Sequence, residues 1–389
     1  MTSDAERLVG TSRLPQVGTT IFTVMSALAA KSNAINLGQG FPDFDCDPAL
    51  VDAVAAAMRA GHNQYPPMPG VAALRQAVSD KIALTTGRRY DADAEITITA
   101  GATQGLLSAV LALVHPGDEV IVLEPCYDSY GPAIALAGAK TIRVPLTPGT
   151  WRPDFEALGK ALGPRTRMVI VNTPHNPSGT VWTAAEMRRL AELLAPTRAL
   201  VLSDEVYEHM VFDGVAHASV SGLPELAERS VVVSSFGKTF HVTGWKVGYV
   251  AAPAPLTREF RKVHQFNVFT VNAPMQHGIA AFLADASHWQ SLSAFYQDKR
   301  DRFRAGLAST ALKLMPCEGT YFQCVDYSAL SDQPDLAFCE WLTTEVGVAA
   351  IPMSAFHAQA PDMRVIRFCF AKQETTLDEA LQRLQALQA

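Results

Sequence analysis

VVVSSFGKTFHVTGWKVG, residues 231–248, opens with valines and serines that suit a buried strand end and then presents one lysine, Lys238, in the turn beyond it. Gly237 is expected to permit a tight turn there. A lysine amine is a nucleophile only once it has lost its proton, so Schiff-base chemistry needs it partly desolvated and near other cations. Lys246 is the candidate neighbour. The triplet Gly237–Thr239, GKT, is not a phosphate-binding P-loop, because Val232 stands where that motif needs its first glycine. What remains is Ser235-x-x-Lys238, in which the serine hydroxyl can bond an anion. On this stretch alone, a solvated turn lysine is an equal reading.

Outward from here the chain repeats the same kind of run. EITITAG, DEVIVLEP, RMVIVNTP, ALVLSDEVY, SVVVSSFG and KVGYVAAP are each of strand length, nearly continuously apolar, and closed by polar or turn residues. Helix-length segments separate most of them, which predicts an α/β fold with a largely parallel sheet buried on both faces. Thr20 to Lys31, Pro48 to Gly61 and Val71 to Thr86 read as helices. His288 to Leu312 reads as one long charged helix, and GTYFQCVDY and MRVIRFCFAK beyond it as strands of a smaller α+β part. The expected division is a large domain over residues 46–287 and a small domain made of residues 1–45 with 288–389. In LGQGFPDF, Asp43 occupies the place of the third glycine of a dinucleotide fingerprint. That leaves a glycine bend able to bring backbone close to a small ligand.

The 389 residues are 48% apolar and 18% charged, with a formal net charge of -6. This balance suits a soluble globular chain and argues against nucleic acid or an anionic membrane as the main partner. Met1 to Arg13 lacks the apolar run of a secretory signal and no apolar stretch long enough to span a membrane occurs, so the cytoplasm is the expected compartment. The six cysteines, Cys46, Cys126, Cys317, Cys324, Cys339 and Cys369, form no C-x-x-C pair and are expected as reduced core thiols. The ten histidines show no metal-binding spacing, and no metal is expected.

In open α/β sheets, ligands sit beyond the carboxyl ends of the strands. Here those ends carry AGATQG, CYDSY, HNPSG, DEVYEH and FGK, each supplying a different polar group. Together, Asn176 in NTPHNPSG, Asp204 and Tyr207 in SDEVYEHM, Lys238 in SSFGKTFHVTGWKVG and Arg367 in RVIRFCFAK resemble the class I aminotransferases of fold type I, which use pyridoxal 5′-phosphate. The resemblance runs from LGQGFPDF to the terminal helix. It implies a large domain with a mostly parallel sheet and a smaller α+β domain.

It further implies that Lys238 holds the cofactor as a Schiff base and, once displaced, moves a proton from the substrate α-carbon. Asp204 is then the partner of the ring nitrogen, and Asn176 and Tyr207 those of its phenolic oxygen. Tyr127 stacks on the ring, while Ala102, Thr103, Ser235 and Lys246 hold the phosphate. Arg367 takes the substrate α-carboxylate, with Asn176 and Gly40 beside it. Tyr65, in NQYPPMPG, is expected to reach the phosphate site of a second subunit, which implies a homodimer with shared active sites. The bonds Glu124–Pro125 and Asn176–Pro177 are X-Pro bonds whose isomer matters to the site.

Dicarboxylate-specific relatives add an arginine in the segment corresponding to His264–Pro274, and HQFNVFTVNAP contains none. An unbranched apolar or aromatic donor fits better. TTIFTVMSALA, LGQGFPDFD, NQYPPMPG, EPCYDSY and KVHQFNVF look most like the bacterial methionine aminotransferases. The neighbouring group is the kynurenine and glutamine aminotransferases, some of which cleave cysteine S-conjugates. Ile21, Phe22 and Phe266 are candidates for an apolar side-chain pocket, and Tyr127 stands where many of those relatives carry phenylalanine. A C–S β-lyase using the same lysine is the alternative reaction. A ligand-sensing DNA-binding regulator would need a basic helix-turn-helix segment, which this chain does not show.

Overall fold

The computed structural model describes residues 11–359, 361 and 363–388; the polar segment at residues 1–10 lies outside them. A short strand, β1 (Ile35–Asn36), follows the helix Ile21–Lys31. The central sheet is built from β2 (Ile96–Thr99), β3 (Glu119–Glu124), β4 (Lys140–Pro145), β5 (Thr166–Asn172), β6 (Leu200–Asp204), β7 (Ser230–Ser235) and β8 (Gly248–Ala251). Their spatial order is β2-β8-β7-β6-β5-β3-β4. Neighbouring strands from β7 through β4 run parallel, whereas β8 is antiparallel to both β7 and β2. The link from β7 to β8, residues 236–247, holds one α-helical turn and one 3-10 turn, too little for a crossover back to the starting edge.

The continuous apolar strands serve two cores. Ile121, Val169, Val171 and Val232 join one buried cluster, whereas Val120, Val122, Ile170 and Val231 join another on the opposite face. Period-two alternation along strands with no polar face requires this, since each side chain must enter one layer of helices or the other. β4 escaped sequence reading because it is an edge strand. Of KTIRVP only Val144 is buried, and Lys140 and Arg143 keep the open edge charged.

Beyond the sheet the chain forms β9 (Lys313–Leu314), β10 (Phe322–Asp326), β11 (Val348–Ala349), β12 (Ile351–Pro352) and β13 (Val365–Cys369). β12, β13, β10 and β9 make a four-stranded sheet, and β11 pairs in parallel with β1, tying residues 35–36 to the C-terminal part. The expected single helix over His288–Leu312 is instead a turn, Ser287–Gln290, followed by the helix Leu292–Leu307. Ser291 sits at the break and returns its hydroxyl to the Ser287 carbonyl, the local bond by which serine competes with a continuous helix. Among the described residues, no helix is long and apolar enough to cross a membrane, and no group of histidine, cysteine and acidic residues could hold a metal. All six cysteines are free, five buried and Cys46 partly so.

One buried ion pair pins the sheet to its helices. Lys81, on the helix Ala72–Thr86, places Nζ 2.6 Å from Glu208, and the Glu208 carboxylate also accepts from Ser234 Oγ at 2.6 Å and Tyr249 Oη at 2.9 Å. Burial alone would raise this carboxyl's pKa, but Lys81, His209 and the hydrogen bonds outweigh it and hold the pKa well below the usual range. Removing one partner of a buried pair strands the other charge. Lys81→Met is therefore expected to cost about 3–5 kcal/mol in chemical denaturation. Adding Glu208→Gln, which neutralises the stranded charge, should return part of that loss; an additive or neutral result would show that the pair carries no such constraint.

Candidate active site

The carboxyl ends of β5, β6 and β7 converge on a cavity of about 300 Å³. Lys238 sits on its wall. The turn that carries it is a single helical turn, Phe236–Thr239, directly after β7. Gly237 serves close approach there, since an added Cβ would lie 3.0 Å from the Thr243 Cα. Lys238 Nζ donates to Tyr321 Oη at 2.7 Å and to the Gly40 carbonyl at 3.1 Å. Burial lowers its pKa to about 8, with Lys246 and Arg367 pushing the same way and Asp204 opposing.

Asp204 ends β6 and is buried. Tyr130 donates to its Oδ2 at 2.7 Å, and burial raises its pKa to about 6 against the effect of that bond. Opposite it in register, Asn172 ends β5, donates to the Asp204 carbonyl at 2.9 Å and accepts from the Asn176 N–H at 2.8 Å. The loop is thereby fixed so that Asn176 Oδ1 faces Arg367. Thr173–Pro174 and Asn176–Pro177 in this loop are both cis, as is Glu124–Pro125 before Tyr127. Tyr207 is buried, with its ring edge-on to Tyr321 at 5.1 Å.

Arg367, from β13, is only 1% exposed. Its Nη1 donates to Asn176 at 2.6 Å and its Nη2 to the Gly38 carbonyl at 3.2 Å, while Nε has no partner among the described residues. The guanidinium lies over Phe322 at 3.8 Å, with Phe356 and Phe22 farther out at 4.9 and 5.5 Å. Among the described residues it makes no ion pair. A buried cation in an aromatic box, with a donor to spare, is a site for an anionic group from outside the chain.

At the opposite end, the helix Gly101–Leu113 begins without any side-chain cap. Gly101 has φ +75°, and a Cβ there would come within 3.4 Å of Lys246 Nζ, so the ammonium lies over the helix start. Gly248 allows β8 to pass beneath, where a Cβ would be 3.1 Å from the Ala102 nitrogen. The free N–H groups of the first turn, the helix dipole, Lys246 and the Ser235 hydroxyl make one anion-binding end.

The tertiary structure thus gathers Gly40, Ala102, Thr103, Tyr127, Asn176, Asp204, Tyr207, Ser235, Lys238, Lys246 and Arg367 around one cavity. Gly40 turns its carbonyl to Lys238, and it is Gly38 that meets Arg367. Of the apolar candidates, Phe22 lines the cavity, Ile21 packs on the core instead, and Phe266 is 90% exposed at the surface. Ile21 opens the helix Ile21–Lys31 and faces the core, and Phe266 lies in the last turn of the helix Ala254–Asn267, exposed on a single chain. Tyr65 is 82% exposed and edge-on to Phe269, outside the cavity of its own chain. Sequence reading missed Tyr130, Asn172 and Tyr321. The first two stand in quoted motifs, CYDSY and NTPHNPSG, while Tyr321 lay in a run read only as strand.

The chain matches the family described as aminotransferase class I and II over residues 32–384. It is 52% identical to a methionine aminotransferase of Escherichia coli across 98% of this chain and 99% of that protein. A solved structure of an Escherichia coli protein with methionine aminotransferase function superposes with a TM-score of 0.96 at 53% identity, covering 97% of this chain and 99% of the other. That of an N-succinyldiaminopimelate aminotransferase from Mycobacterium tuberculosis gives 0.94 at 43%, with coverage of 97% and 99%. With the fold, the buried lysine and the aromatic-boxed arginine in place, these likenesses settle the family: the chain belongs to the class I and II aminotransferases.

Proposed function

We propose that the protein transfers the amino group of an apolar L-amino acid, methionine foremost, to a 2-oxo acid, using pyridoxal 5′-phosphate. The observation that carries this reading is the pairing, in one cavity, of a lysine whose pKa is about 8 with a buried arginine that lacks an ion-pair partner among the described residues. The first can exchange a proton near neutrality, and the second requires a carboxylate.

The residues fit the cofactor. The uncapped helix start with Lys246, Ser235 and Thr103 suits a phosphate dianion. Asp204, whose buried carboxyl is destabilised as an anion when alone, gains a counter-charge from a protonated ring nitrogen. Asn176 and Tyr207 would hold the phenolic oxygen and Tyr127 the ring face. When bound, pyridoxal phosphate supplies an electron-withdrawing ring that weakens the bonds at the substrate's α-carbon. Around it, Arg367 orients the substrate by its carboxylate, and the aromatic rings exclude water from that ion pair. Lys238 accepts the α-proton and returns it.

The side-chain preference rests on charge. Lys238, Lys246 and Arg367 are the cations on the cavity wall among the described residues, and each has a role already. A side-chain carboxylate would find no partner, whereas Phe22 offers apolar contact. The identity to the Escherichia coli methionine aminotransferase supports the same donor. We also propose a homodimer in which the exposed Tyr65 completes the phosphate end of the partner's cavity, since its own chain gives it no site.

In the cofactor-loaded protein, L-methionine without acceptor should convert the visible Schiff-base absorbance to the aminated form, while aspartate barely does. Arg367→Ala should weaken that response about 10- to 100-fold for methionine and kynurenine alike, as loss of a charged hydrogen-bonding partner demands. An unmoved band with methionine would sink the donor assignment. For the dimer, Lys238→Ala and Tyr65→Ala proteins unfolded and reassociated together should recover activity above either parent, because one site of each hybrid is intact. Mixtures no better than their parents would refute shared sites.

Asp204 gives a pH test. Its buried carboxyl keeps its proton up to about pH 6, whereas an unfolded one releases it near 3.8. Below 3.8 the native state is therefore under no penalty, and stability falls as pH rises through about 6, in total on the order of 3 kcal/mol. Cofactor-free Asp204→Asn should accordingly be more stable than wild type at pH 7, with the gain vanishing at acid pH in thermal unfolding, and be inactive when loaded. Equal stability at both pH values would mean the carboxylate bears no such strain.

A further inference from the structure

The amine of Lys238 rests on two acceptors that are themselves bonded to each other. Nζ is 2.7 Å from Tyr321 Oη and 3.1 Å from the Gly40 carbonyl oxygen, and Tyr321 Oη lies 2.5 Å from that same oxygen. A phenol has one proton to give. Spent on the Gly40 carbonyl, it leaves Tyr321 only the capacity to accept from the lysine. A neutral amine has two N–H bonds and one lone pair. With one N–H on Tyr321 and the other on Gly40, the lone pair takes the remaining direction, away from both acceptors and toward the cavity that Lys238 lines.

Resting on the transamination reading above, we propose that Tyr321, tethered by the Gly40 carbonyl, is a positioning residue that aims the lone pair of the free Lys238 amine at the substrate's α-carbon. The α-proton moves onto that lone pair as the C–H bond breaks, and the bonding electrons stay with the carbon. The ammonium so formed keeps two N–H bonds on Tyr321 and Gly40 and holds the third, the transferred proton, toward the cavity for return. Without the phenol the amine is free to rotate, and either an N–H or the lone pair can face the substrate.

Tyr321 is built for this. It is fully buried, and its ring is held by Tyr207 at 5.1 Å, Phe322 at 4.9 Å and Tyr296 at 5.7 Å. The groups facing Lys238 are the Tyr207 and Tyr321 rings, 5.6 and 5.3 Å from Nζ, with Asp204, Lys246, Arg367 and Cys369 around them. Only Tyr321 and the Gly40 carbonyl bond the nitrogen among the described residues. Tyr296 offers a matched control, because it packs against the same ring while its own buried hydroxyl has no partner among the described residues.

The test is Tyr321→Phe, which keeps the ring and removes the acceptor, beside Tyr296→Phe. Competitive acetylation of Lys238 across pH, read by mass spectrometry on the full-length cofactor-free protein, reports the amine directly. Wild type and Tyr296→Phe should titrate at about 8. Tyr321→Phe should titrate lower by about one unit, because an acceptor favours the ammonium over the amine. In the loaded enzyme, Tyr321→Phe should cut kcat about 10-fold or more with KM nearly unchanged, and raise the isotope effect with α-deuterated methionine. A Lys238 titration in Tyr321→Phe that matches wild type overturns the proposal. That arm needs no cofactor, so its failure is distinct from failure of the transamination reading, which the methionine titration decides.

Discussion

Desolvation of the Lys238 amine is the constraint around which the site is arranged. In water an ammonium holds its proton far above neutrality; burial among Tyr207, Tyr321 and the Gly40 backbone removes the hydration that charge needs and brings the pKa to about 8. Burial that strong would expel the lysine if nothing accepted its hydrogen bonds, so the phenol and the carbonyl are conditions of its being there. The same dry environment strengthens every charge interaction in the cavity, which is why Asp204 and Arg367 are held by short bonds to Tyr130 and Asn176.

These groups come from distant parts of the chain, and two features hold them in one place. The parallel strands β5, β6 and β7 end at a common edge: Asn172 and Asp204 stand opposite each other in register, and Ser235 ends β7 two residues beyond Val233, the partner of Asp204. Behind that edge, Glu208 bonds to β7 through Ser234, to β8 through Tyr249 and to the helix Ala72–Thr86 through Lys81. The second feature is closure by the smaller sheet. β13 supplies Arg367, and the neighbouring loop after β1 supplies Gly38 and Gly40, tied in turn to the helix Glu374–Leu384 by Asp43, which accepts from Gln373 and Thr376.

Much of this was legible in sequence. Continuous apolar strands alternating with helices specify a doubly covered sheet, because no polar face is left to meet water. The polar residues following those strands named most of the cavity wall. What stayed hidden shares one cause. Tyr321 sits in a strand-like run of alternating residues, and nothing in the run says which neighbour its hydroxyl will meet. β4 was lost because an edge strand needs little apolar sequence, and Phe266, 90% exposed on a single chain, illustrates that an aromatic residue on a helix carries no mark of which neighbour will cover it.

By itself the sequence determined the fold class, the lysine, aspartate and arginine that the chemistry needs, and the absence of a second arginine for an acidic side chain. Periodicity and residue type are local properties and suffice for the fold class, whereas the roles of the lysine, aspartate and arginine and the significance of the missing second arginine rest on motifs that resemble those of the class I aminotransferases. Only the tertiary structure decided the electrostatic state of those groups: a Lys238 pKa near 8, an Asp204 pKa near 6 and an Arg367 with a spare donor. Those values come from how much water is excluded and which atoms stand within three ångströms or so, and both are set by contacts between residues 74 to 329 positions apart.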